Sequence, residues 1–275
     1  PEYKEQVKIG DFLFLLEKKI QTNLKINLEL ERMLKLLYDF WFIQFDFPDK
    51  NGNPYKASGG KFIYCEILKR EIPENWEVLK ISDITKISNI VINPSKFPNT
   101  LYKHYSIPTF DSTQTYGDEY GKDIGSNKFS VNEQDILVSK LNPKFTRVIY
   151  ALNEENQICS TEFVVWRTSS SLIKNYLYLL ACSNEFITYC MQSATGTSNS
   201  HKRVRPEVMM EFKQAFNKDI VDKFSVKVEP LIKKMILIQR ENSKLSDILN
   251  WLLPMLMNGQ ISIRDAESSI EEVIT

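Results

Sequence analysis

TGTSNSHKRVRP, residues 195–206, sets His201, Lys202, Arg203 and Arg205 behind a run of small hydroxyl and amide side chains, with no acid among them. Cations beside accessible backbone N–H groups suit phosphate oxygens. Arginine also matches guanine at a base edge, and asparagine matches adenine. Ser198, Asn199, His201, Lys202, Arg203 and Arg205 are therefore the first candidate contacts to nucleic acid, the alternative being a solvated loop of ordinary charge. A second basic group, Lys140, Lys144 and Arg147, surrounds an Asn-Pro step at Asn142. A third segment, DSTQTYGDEYGKD (111–123), offers Thr113 and Gln114 with Tyr116 and Tyr120. It is rich in acids, so it either adds hydrogen bonds to bases or is a plain surface excursion.

Asn142-Pro143-Lys144-Phe145 resembles the Asn-Pro-Pro-aromatic loop of DNA amino-methyltransferases, in which the Asn takes the target amino group and the aromatic stacks on a flipped base. Here Lys144 replaces the second proline, and no glycine-rich methyl-donor loop precedes it. A strand-to-strand turn presenting Lys144 to DNA accounts for the same residues.

Other chemistries find little to work with. The chain contains no GxxxxGK[ST], GxGxxG or GxSxG pattern, and its two imidazoles, His104 and His201, leave a triad few options. A metal nuclease needs two carboxylates and a lysine on adjoining strand positions. Asp135 with Lys140 and Glu77 with Lys80 come nearest, and neither carries a Glu-x-Lys. Cys65, Cys159, Cys182 and Cys190 include no CxxC pair, so no zinc site is expected. They read as reduced thiols of a cytoplasmic protein. No catalytic and no metal-ligating residue is assigned.

What must position the basic loops is organised in three parts. The first is a long helix over about 5–45, with Leu13, Leu16, Ile20, Leu30, Leu34, Leu37 and Trp41 spaced as a heptad seam and Asn23 and Asn27 filling its centre. The last repeats the design through Phe224, Val228, Leu231, Met235, Ile238, Asn242, Leu245, Leu249, Leu252 and Leu256. Pro230 either starts or kinks that helix, and Pro254 with Gly259 closes it. Two such helices around one middle segment suggest an antiparallel pair. If Asn23 faces Asn242, then Asn27 faces Ile238 and Leu13 faces Leu252; otherwise the asparagines point to solvent from a loose seam. Leu30, Leu34, Leu37, Trp41, Phe42, Leu231, Ile238, Asn242 and Leu245 are the expected pairing or partner-docking residues. A helix of 35–40 residues is roughly 55 Å long, too long for one hairpin to bury, so the rods should expose apolar surface.

The middle part reads as a mixed α/β globule. KFSV (128–131), DILVSKL (135–141), TRVIYAL (146–152) and EFVVWRT (162–168) alternate as strands, and 173–194 reads as one helix packed on the sheet. The fold class is α+β: a mixed domain flanked by two long antiparallel coiled-coil helices. The boundaries are 1–47 for the first helix, 48–75 for a connector, 76–220 for the domain, 221–260 for the second helix and 261–275 for a tail. Six aromatics between Tyr38 and Phe47 mark the place where the first helix must dock.

The 35 basic and 35 acidic residues cancel, which excludes a polybasic protein while leaving room for a local basic patch. No apolar run approaches the ~18 residues a membrane span needs. The opening PEYKEQVK is no signal peptide and lacks an initiator Met, as expected of a processed or truncated piece.

Several stretches carry a resemblance. IGDFLFLLEKKIQTNLKINLELERMLKLLYDFWFIQFDFPDKNGNPYKASGGK resembles the central conserved region of specificity subunits of type I restriction-modification systems. IPENWEV (72–78) is similar to the start of their target-recognition domains, DILVSKLNP and ICSTEFVVWR to interior strands, ATGTSNSHKRV to a late loop, and LLPMLMNGQI to the distal helix. The resemblance implies a non-catalytic subunit whose domain reads half of a split DNA sequence. It also implies that the helices act as a ruler and bind methyltransferase subunits, with a restriction subunit joining. S-adenosylmethionine, ATP and Mg would then sit on those partners and no cofactor in this chain. One domain between two helices, where the family has two domains, implies a C-terminal half or a half-length subunit that forms a homodimer. The competing readings are a stand-alone methyltransferase or nuclease with degenerate motifs, and a coiled-coil adaptor that binds no DNA.

Overall fold

A computed structural model describes residues 2–196 and 202–266. The first helix runs Tyr3–Tyr38 and buries Ile9, Leu16, Asn23, Asn27, Leu30, Leu34 and Tyr38, the steps of a heptad seam. It does not continue regularly to 45. Residues Asp39–Ile43 form a π turn, which turns Trp41 and Phe42 inward together. Phe45 then takes a left-handed conformation (φ 62°), which a continuing helix cannot accommodate. The aromatic cluster docks within the chain. Phe42 meets Tyr176 at 4.8 Å and Phe224 at 4.9 Å between ring centroids, and Phe45 and Phe47 close on Trp76 at 5.2 and 5.3 Å.

The second helix, Lys218–Met257, is capped by Asn217, whose side chain accepts from Ile220 N. Pro230 and Pro254 lie inside it without ending it. Pro230 deprives the Val226 carbonyl of its helical donor, and it does so at an exposed residue of the helix. Closure comes at Gly259 (φ 69°), where the N–H of Gln260 returns to Met255 O. The helices pair antiparallel through Asn23, whose Nδ2 donates to Asn242 Oδ1 at 2.9 Å and to Glu241 Oε2 at 2.9 Å. Asn242 Nδ2 in turn reaches Ile20 O. Ile9, Leu13 and Leu16 therefore share an apolar cluster with Leu245, Leu252 and Leu256.

Between the helices, 48–75 turns at Asp49, whose carboxylate accepts from Asn51 and Asn53 N. It then forms a hairpin of Phe62–Cys65 with Arg70–Pro73. The domain itself is stapled where it begins and ends, since Glu77–Lys80 pairs antiparallel with Lys213–Phe216. A four-stranded antiparallel sheet has the order Val148–Tyr150, Asp135–Ser139, Phe163–Arg167, Lys86–Ile87. A five-stranded mixed sheet has the order Val91–Ile92, Lys128–Ser130, Gln157–Cys159, Leu101–Tyr105, Gly117–Tyr120, its one parallel step lying between 157–159 and 101–105.

The single helix expected at 173–194 is two helices, Ser171–Ala181 and Asn184–Ser193. Ser183 breaks the run, because its hydroxyl accepts from Phe186 N and starts a new helix. Leu177, Leu180, Ala181, Phe186 and Cys190 are buried and Ile187 half-buried. The acid–lysine pairs considered for a nuclease also dissolve. Asp135 is fully buried against Arg167 at 2.7 and 2.8 Å, and Lys80 bonds Glu211 at 2.7 Å. Both are structural ion pairs. His104 is likewise committed, its Nδ1 lying 2.7 Å from Glu119 while burial lowers its pKa.

Candidate nucleic-acid interface

Strand Asp135–Ser139 runs on through Lys140 and Leu141 to Asn142, which adopts a left-handed conformation (φ 51°) and turns the chain at Pro143. Asparagine tolerates this region better than other side chains with a Cβ. The turn closes with Phe145 N donating to Asn142 O at 2.9 Å. The edge of this strand is then completed from far away in sequence. Asn142 N donates to Lys202 O at 2.8 Å, and Val204 N donates to Lys140 O at 3.0 Å. Arg203 and Thr195 exchange both backbone bonds at 2.9 and 3.0 Å. Val204, almost wholly buried, anchors this ribbon to the core. The Asn-Pro turn and the Lys202–Arg205 segment thus come to one edge of the domain, although about 60 residues separate them.

The cations at this edge divide into two kinds. Arg147 is clamped to Asp111, with Nε and Nη2 at 2.6 and 2.8 Å from its carboxylate, and its side chain is only 11% exposed. Arg203 holds Glu162 at 3.0 and 3.2 Å. Both are candidates for DNA contact from the sequence; in the fold each has an acidic partner that ties its loop to the sheet, Arg147 largely buried and Arg203 still exposed. The sequence could not show this because Asp111 and Glu162 are isolated acids, 36 and 41 residues from their partners. Lys144, Lys202 and Arg205 are exposed, and Lys140 is half-buried with its N–H on Glu162 O. Asn142 is half-buried at the head of the turn.

Thr113 and Gln114 lie at the end of helix Ile107–Thr113. The Thr113 hydroxyl donates to Thr109 O, and Gln114 Nε2 donates to Phe110 O, so both polar groups finish the helix terminus. The segment they belong to was expected as a loop; it is a helix end followed by strand Gly117–Tyr120. Its link to the basic edge is the Asp111–Arg147 clamp. Ser198, Asn199 and His201 lie outside the described residues.

The helix-pairing residues all face inward. Leu30, Leu34, Trp41, Phe42, Ile238, Asn242 and Leu245 are buried, and Leu37 and Leu231 are half-buried. Apolar side chains left exposed on the rods are a different set, among them Phe14, Leu15, Leu36, Leu237, Trp251 and Leu253. Among the described residues, no group of three or more His, Cys, Asp or Glu is placed to hold a metal ion, and no helix is long and apolar enough to cross a membrane.

Residues 73–202 match the family described as Type I restriction modification DNA specificity domain. The match spans both sheets and the Asn-Pro turn and ends at the first described residue of the basic ribbon. The type I restriction enzyme MjaIX specificity subunit of Methanocaldococcus jannaschii is 24% identical over 280 residues, 96% of this chain and 60% of that protein. The HindI specificity subunit of Haemophilus influenzae is 22% identical over 329 residues, 95% of this chain and 68% of that protein. The solved S subunit of the type I restriction-modification system from M. genitalium has the same fold at a TM-score of 0.57 and 15% identity, over 93% of this chain and 61% of that one. The chain thus spans about 60% of the length of the first of these relatives. Two long helices thus frame a stretch, residues 73–202, that is similar to the Type I restriction modification DNA specificity domain, and over nearly its whole length the chain is similar to type I specificity subunits.

Proposed function

We propose that this chain is a DNA-recognition component of a type I restriction-modification enzyme, with no catalytic role of its own. Its domain reads one half of a bipartite target. The paired helices set the distance to the other half and seat methyltransferase subunits, which a restriction subunit joins. The observation that carries the reading is the ribbon joining 140–142 to 202–204, which gathers Lys144, Lys202 and Arg205 at one edge of the domain. Exposed cations there suit the phosphates of a duplex, and their flanking amides and hydroxyls suit base edges. S-adenosylmethionine, ATP and Mg belong, on this reading, to the partner subunits in a cytoplasmic complex. With one recognition domain per chain, two copies related by a two-fold axis would read a gapped palindrome.

Two measurements test this. Sequencing the methylated bases of the host genome with and without the gene should reveal a bipartite motif that vanishes with the gene; an unchanged methylation pattern contradicts the reading. Duplex binding by the purified chain at low salt, titrated against salt, should show a slope of several units that falls when the three cations are replaced. Loss of slope without loss of fold places the phosphates on this edge.

A further inference from the structure

Phe145 sits at the tip of the Asn-Pro turn and is 52% exposed. One side of it closes a small hollow with Pro143, Ala181 and Phe186. Its other side, with Met191 at 49% exposed, walls an open groove of about 550 Å³ whose rim carries Lys144 and Lys202. The ring is held in place. The Arg147 guanidinium lies 5.1 Å from its centroid and is itself clamped by Asp111, and Lys144 Nζ lies at 5.7 Å. An apolar ring and a thioether flanked by lysines complement an occupant that presents flat apolar faces between regularly spaced anions. A nucleotide in a polyanionic strand has that chemistry.

We propose that Phe145 is a stacking wedge: it enters an opened base step of the bound duplex, with Met191 flooring the groove beside it and Lys144 and Lys202 on the flanking phosphates. The inference rests on the reading of this edge as the DNA interface and adds to it a residue that selects sequence without touching a base edge. Inserting an apolar side chain kinks a duplex, and pyrimidine–purine steps open most readily. Phe145 therefore favours targets with such a step at a fixed place in the half-site. The groove gives that step room on one side, and the clamped Arg147 keeps the ring from folding away on the other.

The test is photo-crosslinking of the whole chain to a random-sequence duplex pool in which 5-iodouracil replaces thymine, with crosslinked peptides identified by mass spectrometry. The expected crosslinks fall on Phe145 and Met191. Phe145→Ala should bind roughly tenfold more weakly with an unchanged salt slope, since a stacked ring and no phosphate contact is lost. Phe145→Leu, which still covers the inner hollow, should lose the crosslink while keeping the wild-type melting temperature, and Phe145→Trp should retain it. Crosslinks confined to peptides bearing Lys144 or Lys202, with Phe145→Ala binding as wild type, overturn the wedge and leave the interface standing. Failure of the wild-type chain to retain any duplex overturns both.

Discussion

Lys144, Lys202 and Arg205 differ from Arg147 and Arg203 in a way that decides what each substitution does. The three exposed cations have water to lose and phosphate to gain. Replacing any one with Ala should weaken duplex binding roughly tenfold near 0.1 M salt and lower the salt slope by about 1. Anisotropy titrations at several salt concentrations check this, and a wild-type slope in the triple variant would remove the edge from the interface. Arg147 and Arg203 already spend their charge on Asp111 and Glu162. Their loss should loosen the turn and the ribbon, with affinity falling through lost order and the salt slope nearly kept. Deeper in, Asp135 has a fully buried carboxylate satisfied by Arg167 and by Asn132 N. Arg167→Met should cost about 3 kcal/mol by denaturant unfolding, because it strands a buried charge.

At the scale of elements, the rods depend on a seam and one polar pair. Leu34 is 1% exposed and Leu36 is 67% exposed, two positions along the same helix. Leu34→Ala should cost about 2–5 kcal/mol and Leu36→Ala close to nothing, as thermal unfolding would show. Asn242→Leu strips Asn23 of one acceptor and should cost about 1–2 kcal/mol. The double change with Asn23→Leu should instead raise the melting temperature and relax the register, read by cysteine cross-links placed for the native alignment. Lys174 ties helix Ser171–Ala181 to the sheets by donating to Glu133 O and Ala151 O. Burial pushes its pKa down to about 7, against the pull of Asp135 and Glu133. Folded Lys174 gives up its proton near pH 7 and the unfolded chain only near 10.5, so between these values the unfolded state holds more protons and stability rises with pH. The half-buried Cys182 and buried Cys190 thiols, both pushed up to about 12 by desolvation, work the other way above about pH 9. The rise therefore shows between about pH 7 and 8.5, and Lys174→Met should flatten it by about 2 kcal/mol.

For the whole molecule, a formal charge of zero conceals a basic edge on the domain and apolar faces on the rods. Phe14 and Trp251 occupy opposite positions of the antiparallel register, and both remain exposed. On the proposed assembly they are where a methyltransferase subunit seats. Replacing both with Ser should leave folding and duplex affinity of the isolated chain intact and lower co-purification with the host methyltransferase; unchanged co-purification would move the seat elsewhere. Arg240, on the second helix, reaches across to Glu154, which also takes Lys103 at 2.9 Å. This clasp fixes how the domain sits on the rods, and so how the basic edge is presented.

Much of this is legible in the sequence. Heptad spacing is a local property of a helix, so Leu13 through Trp41 and Phe224 through Leu256 announced two rods; the seam asparagines Asn23, Asn27 and Asn242 offered an alignment as one of two readings, and the Asn23–Asn242 bond decided it. Four strands, Lys128–Ser130, Asp135–Ser139, Val148–Tyr150 and Phe163–Arg167, stood out because alternation is also local. Three features were decided only in three dimensions. The strands that complete both sheets, Lys86–Ile87, Val91–Ile92, Leu101–Tyr105, Gly117–Tyr120 and Gln157–Cys159, lie in or beside turn-rich sequence where no alternating run marks them. Ser183 splits a helix because its hydroxyl competes for a backbone donor inside a run that otherwise reads as continuous. The grouping of the basic loops, and which arginines are clamped to acids, depends on contacts between residues 36 to 64 positions apart. Local pattern can name such residues as cations, but partnership across a sheet edge is a property of the folded chain alone.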